Sequence, residues 1–215
     1  MIADARRYAR VVWAVAAKDF RLEARAKRAL PMAAALSLLV VVVFAFAFDG
    51  RHHAGAVWVA FVFAGTLGVM QSVGIEGENG ALDGLLLAPV PYSAIYVGKV
   101  LSGAVYVSLV GLFTVLATRV FLGTAPAAPI PVLVLVVVLF AVGFAAVAVV
   151  IASMTIYTSI SDLLVPVLLV PLIIPALLAG IALFGAEGWN WLTVLAGYDG
   201  IVFTGGLLVF EELVA

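Results

Sequence analysis

The chain is written in long apolar runs separated by short polar joints. Five stretches without an Asp, Glu, Lys, Arg or His stand out, at 31–48, 56–73, 100–118, 130–153 and 163–184. A helix rises about 1.5 Å per residue and the hydrocarbon layer is roughly 30 Å thick, so each run is sized to cross a bilayer as a helix. A sixth run, 198–215, carries Asp199 at its start and Glu211 and Glu212 near its end. The stretch before it, "AEGWNWLTVLAG" at 186–197, is too short to span by itself. Its two tryptophans suit a membrane interface, so it is expected to form a re-entrant or surface helix.

Composition agrees with this pattern. Of 215 residues, 66% are hydrophobic and 11% charged, whereas soluble domains carry about 25% charged residues. A water-soluble core has no use for so much apolar surface, which makes lipid the solvent. The expected fold is an all-α polytopic membrane protein forming one permease-like domain over 1–215. It comprises a cytoplasmic interfacial helix at 1–30 and a six-helix membrane domain at 31–215 with a cytoplasmic coupling segment at 75–92. The opening thirty residues are too polar for a signal peptide and are expected to stay uncleaved.

Charge sets the expected orientation. Arg6, Arg7, Arg10, Lys18, Arg21, Arg25, Lys27 and Arg28 precede the first span, and Lys99 begins the third. The other side holds only Arg51 and Arg119. Nine basic residues against two place the N-terminus in the cytoplasm. Six spans return the C-terminus to the same side. On a helical wheel the basic residues from Arg6 to Arg28, Lys27 apart, fall within about a third of the circumference. Tyr8, Val11, Val15 and Leu22 group on a neighbouring arc, with Trp13 and Phe20 on the other flank. Such a helix belongs in the headgroup layer, against anionic lipid. A plain positive-inside tail is the simpler reading, and a surface helix that also touches a cytoplasmic partner is the functional one.

Much chemistry is missing. The glycines of "GIEGENGALDG" lack the Lys-Ser/Thr ending of a phosphate-binding loop, so ATP hydrolysis is not expected of this chain. The sequence has no cysteine, which removes disulfides, thiolate metal sites and covalent haem attachment. His52 and His53 are adjacent in the first outer loop, where neighbouring side chains diverge and a solvated loop is the better reading. No catalytic pairing or nucleophile elbow is present. The first five spans also lack the mid-membrane ionisable groups on which ion-coupled transporters depend. If something is moved, the energy enters from outside the bilayer.

The segment where it could enter is "IEGENGALDGLLLAPVPYSAIYVGKV", 75–100. Glu76, Glu78 and Asp83 punctuate a short amphipathic element after the second span, with Leu82, Leu85 and Leu86 spaced i, i+3, i+4. Pro89 and Pro91 break it, and Ser93 is placed to cap the next helix. Acids on the basic side of a membrane are repelled by anionic lipid, which makes a protein socket a better contact for them. An ordinary loop with turn residues is the bland alternative. In 163–184, Pro166, Pro171 and Pro175 each remove an amide donor, which predicts a kinked helix packed against other spans along its broken face. They are candidate hinge residues, and a fixed bend is the simpler reading.

Three stretches carry a resemblance: "EGENGALDGLLLAPVPYSAIYVGKVL", "KDFRLEARAKRALPMAAALSLLVVVVFAFAF" and "LLVPVLLVPLIIPALLAGI", with the ending "LLVFEELVA". In this order they are similar to the cytochrome c maturation protein B family of haem-exporter permeases. The resemblance implies an ABC-2-like permease without its own ATPase. Such a permease works with a cytoplasmic ATP-binding subunit, other haem-handling membrane proteins and a second permease copy, in the bacterial inner membrane. Haem is then a transported substrate, or ATP drives release of a haem-loaded chaperone; ATP acts only through the partner, and no nucleic acid is involved. The family pattern falls on Glu76, Glu78, Gly80, Leu82, Gly84, Leu85, Leu86, Leu87, Pro89, Gly98 and Lys99, and on Lys18, Arg21, Glu23 and Arg25. It does not extend to His52 or His53. Two other readings remain: an ABC-2 permease for a lipid, drug or polysaccharide, and a membrane assembly factor that moves nothing.

Overall fold

The computed structural model describes residues 2–27, 29–47, 53–79, 84, 87–123, 128–155, 161–185, 188 and 190–214. Seven long helices account for nearly all of them: α1 (Ile2–Ala26), α2 (Ala29–Ala47), α3 (His53–Asn79), α4 (Tyr92–Leu122), α5 (Ile130–Thr155), α6 (Ser161–Phe184) and α7 (Asn190–Val214). Five of these, α2 and α4 to α7, are long and apolar enough to cross a membrane, and α3 carries a shorter apolar stretch, Gly55–Met70. The protein is an all-α, multi-pass membrane protein.

The bundle is organised around α4 and α5. α5 packs against α3, α4, α6 and α7, while α4 touches α1, α2, α3, α5 and α7. Most of the α5 surface is therefore interior, which fits a sequence apolar all the way round. Trp58, Phe61, Phe140 and Phe184 interlock at one end of this core, with ring centroids 4.8–5.7 Å apart. In lipid the gain on packing comes from such close contact and not from leaving water. Outward faces stay apolar: Leu39, Phe46, Leu116, Phe121 and Leu208 are all exposed, as lipid-facing residues should be.

Two expectations need correction. Residues 190–197 are not a separate re-entrant or surface helix; they are the first two turns of α7, which runs unbroken to Val214. The apolar residues on either side of Asp199 join into one span, and the acid sits inside it instead of at its start. α3 also continues past Gly74, so Glu76 and Glu78 lie in its last turns and not in a separate element.

α6 is a third departure. It remains one helix through Pro166, Pro171 and Pro175. Leu169, Ile173 and Ala176 are buried against the bundle, whereas Pro171 and Pro175 are exposed on the outside. The expected burial of the broken face is therefore reversed: the buried ridge is built from Leu169, Ile173 and Ala176, on the face away from Pro171 and Pro175. From α7, Tyr198 Oη donates to Leu172 O at 2.9 Å and braces the helix there.

Candidate functional site

The polar residues converge at one end of the bundle, where α1 lies across α4. Contact begins at Gly98. A Cβ there would stand 2.7 Å from Val15 Cβ and 2.9 Å from Val12 O, closer than packed atoms allow. The missing side chain lets the helices touch backbone to side chain, and Val15 and Ala16 are fully buried there. Tyr8, Val11 and Leu22 are half-buried, so most of the apolar arc read from the sequence faces the protein. Arg6, Arg7, Arg10, Arg21 and Arg25 are exposed, as is Trp13 at 64%.

One turn beyond Gly98 the contact becomes polar. Ser102 Oγ donates to Asp19 Oδ2 at 2.9 Å and also stands 2.9 Å from Lys99 O, so its single proton is shared. The other carboxylate oxygen of Asp19 pairs with Lys18 Nζ at 3.0 Å. At the far end of α1, Lys27 turns the chain with φ 50, and Glu23 Oε1 accepts the Leu30 amide at 2.9 Å. Such a bond satisfies one of the free donors of the α2 N-terminus. Tyr106 Oη on α4 donates to Ala29 O at 3.0 Å. The joint between α1 and α2 is thus tied to α4 by side chains from both partners.

These residues enclose a cavity of about 310 Å³, with Asp19, Glu23, Lys99, Ser102, Tyr106 and Ser153 as its polar lining and Val69, Val107 and Val149 among its apolar walls. The sequence placed Lys99 at the mouth of the coupling segment. In the structure it is 8% exposed and belongs to the α1–α4 junction. The cause is the start of α4: Ala94 N bonds Pro91 O, so 92–99 is already helical and turns Lys99 inward. Pro91 is the N-cap residue with φ −61 and ψ 131, and no side chain caps the helix, so Ser93 does not have the capping role expected of it. Proline tolerates this position because no intrahelical bond is due there.

Of the expected coupling segment, Gly80, Leu82, Asp83, Leu85 and Leu86 lie outside the described residues, as does His52; His53 opens α3. Gly84 and Pro89 are exposed, and Leu87 is 87% exposed, ahead of a tight turn closed by Val90 N to Ala88 O at 2.8 Å. The structure therefore separates the residues matched by the resemblance into two groups. Leu87 and Pro89 project outward, while Lys18, Glu23, Gly98 and Lys99 build the internal α1–α4 junction.

The sequence reading missed Asp19, Ser102 and Tyr106 as members of one site. Ser102 stands i+3 from Lys99, and Asp19 follows Lys18, so both lay beside residues already singled out. Their meeting depends on α1 folding back over α4, which no local spacing announces.

Comparison with known proteins agrees in extent with this architecture. A curated relative from Rhodobacter capsulatus named "Heme exporter protein B" is 30% identical over 199 residues, covering 87% of this chain and 89% of its own length. The family model described as "CcmB protein" matches residues 10–209, from the basic face of α1 almost to the end of α7. With the match reaching across every helix of the bundle, the chain belongs to the CcmB family.

Proposed function

We propose that this protein is the membrane permease subunit of a haem-export system acting in cytochrome c maturation, driven by a separate cytoplasmic ATPase. The observation that carries the reading is family membership over almost the whole chain, together with a relative named as a haem exporter. On this reading the α1 end of the bundle faces the cytoplasm of a bacterial inner membrane, in keeping with its nine basic residues. α1 lies along the headgroup layer with Arg10, Arg21 and Arg25 toward anionic lipid. The segment from Glu76 and Glu78 through Leu87 and Pro89 meets the ATPase, and a second permease copy and haem-handling membrane proteins complete the assembly.

The cavity between α1 and α4 bears on the route. Its charged lining holds two acids, Asp19 and Glu23, against one cation, Lys99. Its volume is at the small end of ligand pockets, roughly 300–1,000 Å³. Haem carries two propionates and fits neither its charge nor its size. Haem passage would use a surface completed by another subunit, or ATP would serve to release a haem-loaded chaperone. Deleting the gene and restoring it with a tagged copy tests the proposal. Holocytochrome c should disappear and return, and the tag should recover an ATPase together with haem-handling partners. Normal holocytochrome in the deletion strain overturns it and favours a permease for another substrate.

A further inference from the structure

Asp199 lies inside α7 and is 7% exposed, and neither of its carboxylate oxygens has a hydrogen-bond partner among the described residues. Across the seam stands Gly143 of α5, where a Cβ would overlap the carboxylate and lie 2.9 Å from Tyr198 Cε1. Glycine inside a helix is less stable than alanine, and a buried carboxyl without a partner adds a desolvation cost. A valine at 199 would avoid the second cost.

Among the described residues, the surroundings offer no counter-charge. α5 carries no ionisable residue, and α6 has only Asp162, in its first turn. On α4, Lys99 faces the α1 cavity and Arg119 is exposed in the last turn. Tyr106 Oη is engaged with Ala29 O, and Tyr96 Oη points to Ala146 O at 3.4 Å; Tyr92 is the first residue of the helix. On α7 itself Tyr198 Oη is committed to Leu172 O, and Glu211 and Glu212 are exposed at the far end. An ionised carboxylate in such a place is far costlier than the neutral acid. Intramembrane acids of this kind mark functional positions.

We propose that Asp199 is a proton-binding site in the membrane interior, holding a proton while α5 and α7 are packed and exchanging it with water when the seam at Gly143 opens. The step is the addition or loss of one proton at the carboxylate. It is separate from ATP docking and from whatever cargo is carried.

Infrared difference spectra between the full-length wild-type protein and Asp199→Asn, both in lipid at neutral pH, provide the test. The wild type should show the carbonyl band of a protonated carboxylic acid, with slow deuterium exchange. Gly143→Ala, which wedges the seam apart, should speed that exchange at least about tenfold, or 1.4 kcal/mol of opening. If Asp199→Asn fails to fold, labelling the wild type with dicyclohexylcarbodiimide, which modifies protonated carboxyls from the lipid phase, gives the same answer by mass spectrometry. Carboxylate bands in place of the acid band, or an Asp199 that resists the carbodiimide, overturns the site. An acid band whose exchange is unchanged in Gly143→Ala overturns the exchange.

Discussion

Ser102 of α4 donates a hydrogen bond to Asp19 of α1, a partner 83 positions earlier in the sequence. The bond matters because it is the polar latch of a seam otherwise made by Gly98, Val12 and Val15. Hydrogen bonds to a charged group contribute about 1.5–3 kcal/mol. Ser102→Ala should therefore loosen α1 by that order, while Asp19→Asn, which keeps an acceptor, should loosen it less. Protease cleavage within residues 2–26, followed over time in detergent, measures the effect. Equal cleavage rates in all three proteins would show the latch to be idle.

Gly98 gives a sharper outcome. A valine there has nowhere to go, since even a Cβ stands 2.7 Å from Val15 Cβ. Overpacking of this kind costs about 1–3 kcal/mol, and relief comes most easily by displacing α1. The chain has no cysteine, so introduced pairs report cleanly. Asp19→Cys with Ser102→Cys should crosslink readily in the parent and at least about tenfold more slowly after Gly98→Val, if the displacement costs 1.4 kcal/mol. Undiminished crosslinking means that α1 is held by its ends alone.

The coupling proposal turns on charge at the end of α3. Reversing Glu76 and Glu78 to lysine should reduce recovery of the ATPase with the permease and slow its association, because interfacial charges act chiefly on steering and specificity. Replacing Leu87, which is 87% exposed, with aspartate should have a larger effect on the stability of the complex than on its rate of formation. Unaltered co-purification in all these variants removes the 75–92 segment from the interface.

The length of the apolar runs was enough to find the spans, because a run such as 130–153 has only one solvent it can face. It read the helix ends less well. Pro91 looked like a breaker and is instead an N-terminus, and Asp199 looked like a boundary and is interior. Both errors have one origin. Sequence marks where a residue costs free energy but not whether a neighbour such as Gly143 has made room for it. The α1–α4 site was legible only as pieces, since Asp19 and Ser102 gain meaning once α1 folds back.

α6 offers the last test. Pro171 and Pro175 leave the carbonyls four residues before them, Val167 and Pro171, without amide donors, yet the helix continues and Tyr198 braces it at Leu172 O. Leu169, Ile173 and Ala176 are packed inward and both prolines outward, so a swing of the half toward Phe184 has to draw Phe184 away from Trp58. Pro171→Ala with Pro175→Ala restores both donors and stiffens the span. The doubly substituted protein should assemble normally while cytochrome maturation per ATP hydrolysed falls several-fold. Tyr198→Phe should act oppositely, removing about 1 kcal/mol of bracing and lowering thermal stability without stiffening α6. Both quantities can be read in the same membranes, as holocytochrome formed and as phosphate released. Should the doubly substituted protein mature cytochromes at the parental ratio, the prolines set a fixed bend and the moving element lies elsewhere.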